Sequence, residues 1–301
     1  VAFNTYDHYV SPMPRAVPPF AAARSDYDVF SALAARLGFG ERFTEGRDEM
    51  QWVRHLFETS RDRAGEHGVT LPDFETFWRG GHFSIAPQLA ETTLLFEAFR
   101  ADPDTHPLGT PSGRIEIFSD TIAGFGYADC PGHPVWLDKQ EWLGGERAAR
   151  FPLHLISNQP AARLHSQLDF GITSRASKVD GRECATLHPA DAGARGISAG
   201  DVIRLYNDRG ACLAVARLSD GIRRGVIELP TGAWYAPVAT ADGVSLDVHG
   251  NPNVLTRDVG TSRLGQGPTA HSCLVEVARY DGPAPPVRVF EPPAIIRRQG
   301  R

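Results

Sequence analysis

Residues 187–210, LHPADAGARGISAGDVIRLYNDRG, decide the architecture. Pro189 suits the first position of a one- or two-turn helix, where its missing N–H leaves nothing unsatisfied, and Gly196 follows the end of that helix. Val202 to Tyr206 then reads as a strand, and Asn207-Asp208-Arg209-Gly210 supplies a hairpin turn into the next one. Outward from this stretch, the apolar runs Leu153 to Ile156, Cys212 to Leu218, Val226 to Leu229 and Cys273 to Val277 are short and bounded by turn residues. An order of strand, short helix, turn and strand predicts a small closed β structure with crossovers. Gly196-Ile197-Ser198-Ala199-Gly200 matches the G-x-S-x-G form of a hydrolase nucleophile elbow, but a helix precedes it and a strand follows. That is the reverse of an elbow, so Ser198 is assigned to a plain turn.

The first half has a different texture. Ser25 caps a helix carrying Val29, Phe30, Leu33, Ala34 and Leu37, closed by Gly38. A second helix is predicted from Asp48 to Thr59, with Trp52, Val53, Leu56 and Phe57 on one face, and weaker helical signals cover Phe74 to Trp78 and Leu89 to Phe99. Arg114 to Phe118 alternates like a strand after a turn-rich segment. From Gly232 to Ser272 runs a loop with hardly any strand pattern, longer than ordinary connections.

Composition narrows the function classes. Thirty Gly and 23 Pro in 301 residues exclude a mainly helical bundle, while 42% hydrophobic residues are ample for a packed core. A formal charge of −5 argues against nucleic-acid binding. Residues 1–150 hold 14 basic against 22 acidic residues and residues 151–301 hold 17 against 14, so the second half is the better host for an anion. Lys139 and Lys178 are the two lysines. The other basic residues are Arg, suited to oxyanions, although a codon bias toward Arg is the simpler explanation. Four dispersed cysteines, with no C-x-x-C, fit reduced thiols better than disulfides or zinc. Eleven histidines do not pair at metal spacing, so no metal ligand and no catalytic side chain is assigned. No run reaches the length of a membrane span and no signal peptide is visible. The chain opens on Val1, as expected of a processed or truncated product.

Three polar concentrations stand at strand ends. In LHLISNQPAARLHSQLDF (153–170), Ser157, Asn158, Gln159, Arg163, His165, Ser166 and Gln167 follow a buried strand, and Pro160 blocks a helix. Asp247 to Thr256 forms a second and Gly265 to His271 a third. Each alone could be a solvated loop; together they imply one large polar ligand.

The run Ser157-Asn158-Gln159-Pro160 with Arg163-Leu164-His165-Ser166-Gln167-Leu168, then the 187–210 stretch, HGNPNVLT and GTSRLGQGPTAHSCLVEV, resembles the C-terminal domain of molybdopterin oxidoreductases of the dimethyl sulfoxide reductase family. ARSDYDVFSALAARLG and TEGRDEMQWVRHLFE resemble the preceding segment in its S- and N-oxide reductase branch. The resemblance implies a helical α/β portion over residues 1–125, a linker over 126–150, a six-stranded double-psi β-barrel over 151–285 that binds molybdopterin guanine dinucleotide, and a tail over 286–301. It implies Mo-bis(molybdopterin guanine dinucleotide) as cofactor. Asn158, Gln159, Arg163, Leu164, His165, Ser166 and Gln167 would contact its pterin and phosphate parts, with Asn253, Ala270 and His271 at pterin edges. Amides carry both donors and acceptors, as does a pterin rim, while pyrophosphate calls for guanidinium or backbone N–H groups.

The activity so implied is oxygen-atom transfer from a sulfoxide such as biotin sulfoxide, or from an N-oxide, to reduced molybdenum. The rest of the same enzyme and an unidentified electron donor would be partners, and the setting would be cytoplasmic. The molybdenum ligand of such enzymes lies outside this chain, which alone is not expected to turn over. The rival reading is a double-psi barrel that binds a ligand or protein without redox chemistry.

Overall fold

Ser25 caps the first helix as its sequence predicts, its Oγ accepting the Asp28 N–H at 3.2 Å. In a computed structural model of the protein, which describes residues 8–88, 94–240, 243 and 245–292, the chain divides into two compact units, Val1–Arg114 and Ile115–Arg301. The first contains β1 (Tyr9–Val10), α1 (Asp26–Arg36), α2 (Gly40–Thr44), α3 (Glu49–Glu66), α4 (Phe74–Gly80), β2 (Phe83–Ser84) and α5 (Glu97–Ala101). A reciprocal Asp48–Gln51 capping box starts α3. The helix runs well past Thr59, because Ser60 to Glu66 extend it with no apolar stripe for a periodicity argument to detect. Phe57, Phe74 and Phe77 form the core of this unit, with Phe57 and Phe77 stacked at 4.5 Å. Of the predicted helix from Leu89 to Phe99, residues 89–93 lie outside the described residues, and helix is present from Glu97.

The strand expected at Arg114 to Phe118 does not form; Ile115, Ile117 and Phe118 stand exposed, and Ser119 caps α6 (Asp120–Gly124) directly afterwards. Alternation makes a strand only where a neighbouring strand pairs with it, and this segment pairs with no described strand of the sheet that follows. Its elements are β3 (Leu153–Ile156), α7 (Ile172–Ala176), β4 (Cys184–Leu187), α8 (Pro189–Gly193), β5 (Val202–Tyr206), β6 (Ala211–Leu218), β7 (Val226–Glu228), β8 (Pro237–Ala239), β9 (Ser245–Asp247) and β10 (Leu274–Arg279). The order β4-β7-β3-β10-β5-β6 returns to β4 through the β4–β6 pairing, making a closed six-stranded mixed barrel. Its parallel pairs are β3–β7 and β4–β6, and the other pairs in the ring are antiparallel. Leu153, Leu155, Leu187, Ile203, Leu205, Ile227, Leu229 and Val275 fill the interior.

The sequence pattern missed β4, a four-residue strand preceded by Arg182 and Glu183, too short to show a period. It also missed β8 and β9 in the supposedly strandless 232–272 segment. This hairpin adds to the barrel through the parallel β6–β9 pairing and covers the outer face of β6. Ala211 and Leu213 pack outward on Leu246 and Val248, so Ala211 to Ala216 are buried without interruption and show no alternation. Ser198 lies in a turn between left-handed Gly196 and Gly200, its N–H donating to Asp201 Oδ2 at 2.8 Å. Among the described residues no helix is long and apolar enough to cross a membrane.

Leu205→Ala is expected to destabilise the second unit by about 2–5 kcal/mol, through lost burial and a retained cavity. Ile117→Ala should stay within roughly 0.5 kcal/mol. Urea midpoints of the two variants check both values.

Candidate functional site

After β3 the backbone turns at Pro160, and the bend is pinned from below. The Arg163 side chain is 0% exposed. Its Nε donates to the His165 carbonyl at 3.0 Å, Nη1 to Ser174 Oγ at 3.2 Å, and Nη2 to the Thr231 carbonyl at 2.8 Å and Glu183 Oε1 at 2.9 Å. The guanidinium is thus committed to partners within the fold, and through them this residue shapes the bend. Gln159 Nε2 donates to the Arg163 carbonyl at 2.8 Å. Leu164, His165, Ser166 and Gln167 are thereby turned outward, with His165 (φ 48°) and Leu168 (φ 55°) in left-handed conformations that cost such residues energy unless the surroundings impose them.

A second chain segment imposes them. Thr231 N–H donates to the Asn158 carbonyl at 2.9 Å, and Trp234 Nε1 donates to the Ser166 carbonyl at 2.9 Å. Gly232 (φ 92°) runs against the bend so closely that a Cβ there would penetrate the His165 carbonyl and lie 2.9 Å from Ser166 N. Asn158 Oδ1 is buried with no hydrogen-bond partner. An orphaned buried acceptor is costly and calls for a donor from a ligand or water.

Beneath the bend lies a buried ionic group that sequence reasoning missed. Asp169 Oδ1 is 2.9 Å from Lys178 Nζ and 3.4 Å from Arg163 Nε, and Lys178 also pairs with Glu183. Burial pushes the Asp169 carboxyl up, but the Lys178 ammonium and the Trp234 amide outweigh it and hold its pKa below the usual value. His249 Nδ1–H donates to the Trp234 carbonyl at 2.8 Å, and its pKa is lowered by burial and then by Lys178, which favours the neutral ring. Asp169, Glu183 and His249 have ligand-type atoms within 4.8 Å of one another. Lys178 and Arg163 already supply two positive charges to that cluster, which opposes a metal cation there.

The second bend is organised by Asp247. Its fully buried carboxylate accepts N–H groups of Ala236, His249, Gly250 and Asn251 at 2.7–3.1 Å. Asn251 Oδ1 then caps the 3₁₀ turn Pro252–Val254 by accepting Asn253 N–H at 2.9 Å. The 207–210 turn buttresses it: Asn207 Nδ2 and Arg209 Nε both donate to the Leu255 carbonyl, at 2.8 and 2.7 Å. Arg209 in turn meets the buried Glu141 at 2.6 and 3.0 Å. Burial pushes the Glu141 carboxyl up, while Arg209 and the Leu274 amide prevail and leave its pKa lowered.

Two hollows share Asn253. One, of about 430 Å³, is lined by His165, Ser166, the 231–235 segment, Asn251 and Asn253. The other, of about 640 Å³, is lined by Asn253, Thr256 to Gly260 and Gln266 to Ala270. The structure thus gathers His165, Ser166, Asn253 and Ala270, with Asn158 one hydrogen bond behind Thr231. Gln159, Leu164, Gln167 and His271 line neither hollow. A third hollow, in the first unit, is lined largely by apolar side chains such as Val53, Leu56 and Phe57 and gathers none of these groups.

Residues 153–274 match the molydopterin dinucleotide binding domain, a span that contains all three polar concentrations. The chain is similar to biotin sulfoxide reductase of Cereibacter sphaeroides, with 49% identity over 97% of this chain and 38% of that protein. It is 44% identical to the dimethyl sulfoxide/trimethylamine N-oxide reductase of the same organism, over 93% of this chain and 34% of that protein. With trimethylamine-N-oxide reductase 1 of Escherichia coli the identity is 45%, over 90% of this chain and 32% of that protein. The chain therefore spans about a third of the length of these relatives. Acetylene hydratase from Pelobacter acetylenicus shares the fold, with a TM-score of 0.67 at 17% identity over 91% of this chain and 35% of that one.

The lowered pKa values carry a sign. For Asp169 and Glu141, folding favours the ionised carboxylate, so their contribution is complete above roughly pH 4.5 and is lost as pH falls through the lowered folded values. For His249 the unfolded chain takes up a proton first, so stability begins to fall below about pH 6.5. Urea midpoints measured from pH 7 to 3 should decline in two stages, and in Glu141→Gln the acid stage should be shallower. A midpoint independent of pH would contradict the assignment.

Proposed function

We propose, because residues 153–274 match the molydopterin dinucleotide binding domain, that this chain is the cofactor-capping portion of a molybdenum-dependent S-/N-oxide reductase. The cofactor would be Mo-bis(molybdopterin guanine dinucleotide), and the substrate a sulfoxide such as biotin sulfoxide, or an N-oxide. The observation that carries this reading is the pair of polar hollows joined at Asn253, with the orphaned Asn158 Oδ1 close behind. An elongated dinucleotide needs adjoining compartments, and a pterin rim needs acceptors and donors held without water.

The chemistry that the bound cofactor supplies is two-electron reduction coupled to acceptance of an oxygen atom from the substrate. This chain's residues bind and orient. Asn158 Oδ1 would accept a ring N–H or amino proton, His165 and Ser166 would wall one hollow, and Asn253 would face both. Ala270 would present its backbone to the second, with Gln159, Leu164, Gln167 and His271 bordering the cofactor. Arg163 would hold the bend from within, beside the phosphate part of the cofactor. The remaining polypeptide of the reductase would be the partner, bringing the molybdenum ligand, the substrate pocket and the docking site of the electron donor. The setting would be cytoplasmic, as the resemblance to the S- and N-oxide reductase branch implies.

In the full-length reductase, Asn158→Leu and His165→Ala are each expected to weaken cofactor retention by about 1–3 kcal/mol, since each removes a polar partner without touching the barrel. Gly232→Ala should lose cofactor more completely by displacing the His165 carbonyl. Molybdenum analysis and the fluorescence of released, oxidised pterin measure retention, and circular dichroism confirms the fold. Molybdenum-free full-length protein, or full retention in all three variants, would overturn the assignment.

A further inference from the structure

We propose that the outer edge of the first bend, residues 164–172, is a docking rim for the rest of the reductase polypeptide, an apolar seam laid against the cofactor compartment. The proposal rests on the reading above only in taking the chain as part of a longer enzyme. Leu164, Leu168, Phe170 and Ile172 are 56%, 67%, 50% and 88% exposed. Asp169, the one carboxylate between Leu164 and Thr173, is buried, so from Leu164 to Thr173 the exposed side chains are apolar or carry hydroxyl, amide or imidazole groups. The chain as a whole is 22% charged. Depletion of charge around large apolar side chains marks the core of an interface, not a solvated loop.

The rim is also prepared. His165 and Leu168 are held in left-handed backbone, and Arg163, Gly232 and Trp234 fix that shape from within. Phe170 leans on Trp234 at 5.7 Å between ring centres, which fixes its free face. A surface fixed before contact loses little freedom on binding. The segment that walls the first hollow with His165 and Ser166 is the one that carries the apolar edge, so partner and cofactor would meet the same loop from two sides. The occupant follows from length: this chain spans 38% of the Cereibacter biotin sulfoxide reductase, leaving most of such a polypeptide to cover the rim.

Hydroxyl-radical footprinting compares the 301-residue chain with the cofactor-free, monomeric full-length reductase, so that cofactor contributes nothing to the protection. Labelling of Leu164, Leu168, Phe170 and Ile172 should fall by about fivefold or more in the full-length protein. Ile172→Glu should restore labelling at the other three while leaving the melting of the isolated chain unchanged. Equal labelling in chain and full-length protein would overturn the proposal even if molybdenum and pterin are fully retained. Ile172-dependent dimerisation of the chain alone, with the rim still open in the monomeric full-length protein, would give the surface to a second copy and also overturn it.

Discussion

Arg163, Lys178, Asp169 and Glu183 are all removed from water, and the bend above them stands on their mutual pairing. Burying four charges is costly, and the cost is offset only when each finds opposite charge and hydrogen bonds at close range. Here the remaining capacity is taken up by Ser174 Oγ, the Trp234 amide and the carbonyls of His165 and Thr231. The group therefore resists rearrangement, because displacing one member would leave the charge of another buried and unpaired. That arrangement dictates where residues 164–168 emerge and which side chains they turn outward.

Close backbone approach completes the constraint. Gly232 touches the first bend, Gly210 comes so near the Val254 carbonyl that a Cβ would lie 2.7 Å from it, and Gly250 (φ 98°) fits against Glu183. Each glycine joins a barrel loop to a bend that is remote in sequence. A rigid barrel whose long loops are tied together at such close approaches can hold several of them in fixed positions, whereas a single flexible loop could not fix groups for a large, rigid heterocycle. The polar bends are in this sense consequences of barrel closure.

The sequence made the barrel legible where its strands alternate, as at Val202 to Tyr206, and where a turn carries its own chemistry, as at Asn207 to Gly210. It hid β6's two-sided burial behind Ala211 to Ala216, which shows no period because β9 covers the second face. The site was legible in outline, since amides and imidazoles after a buried strand are unusual. The internal role of Arg163 was not: an arginine beside polar residues suggests an anion, and its distant partners Glu183 and Thr231 come to it only in the fold. Glu141 and Arg209, 68 residues apart, likewise meet through tertiary structure alone.

A structure of the full-length reductase isolated with its native cofactor tests the central claim most directly. The account places pterin density in the hollows that share Asn253, within hydrogen-bond reach of Asn158 Oδ1, with Arg163 still locked on Asp169 and Glu183. Density located elsewhere, with those hollows open to solvent, would contradict it.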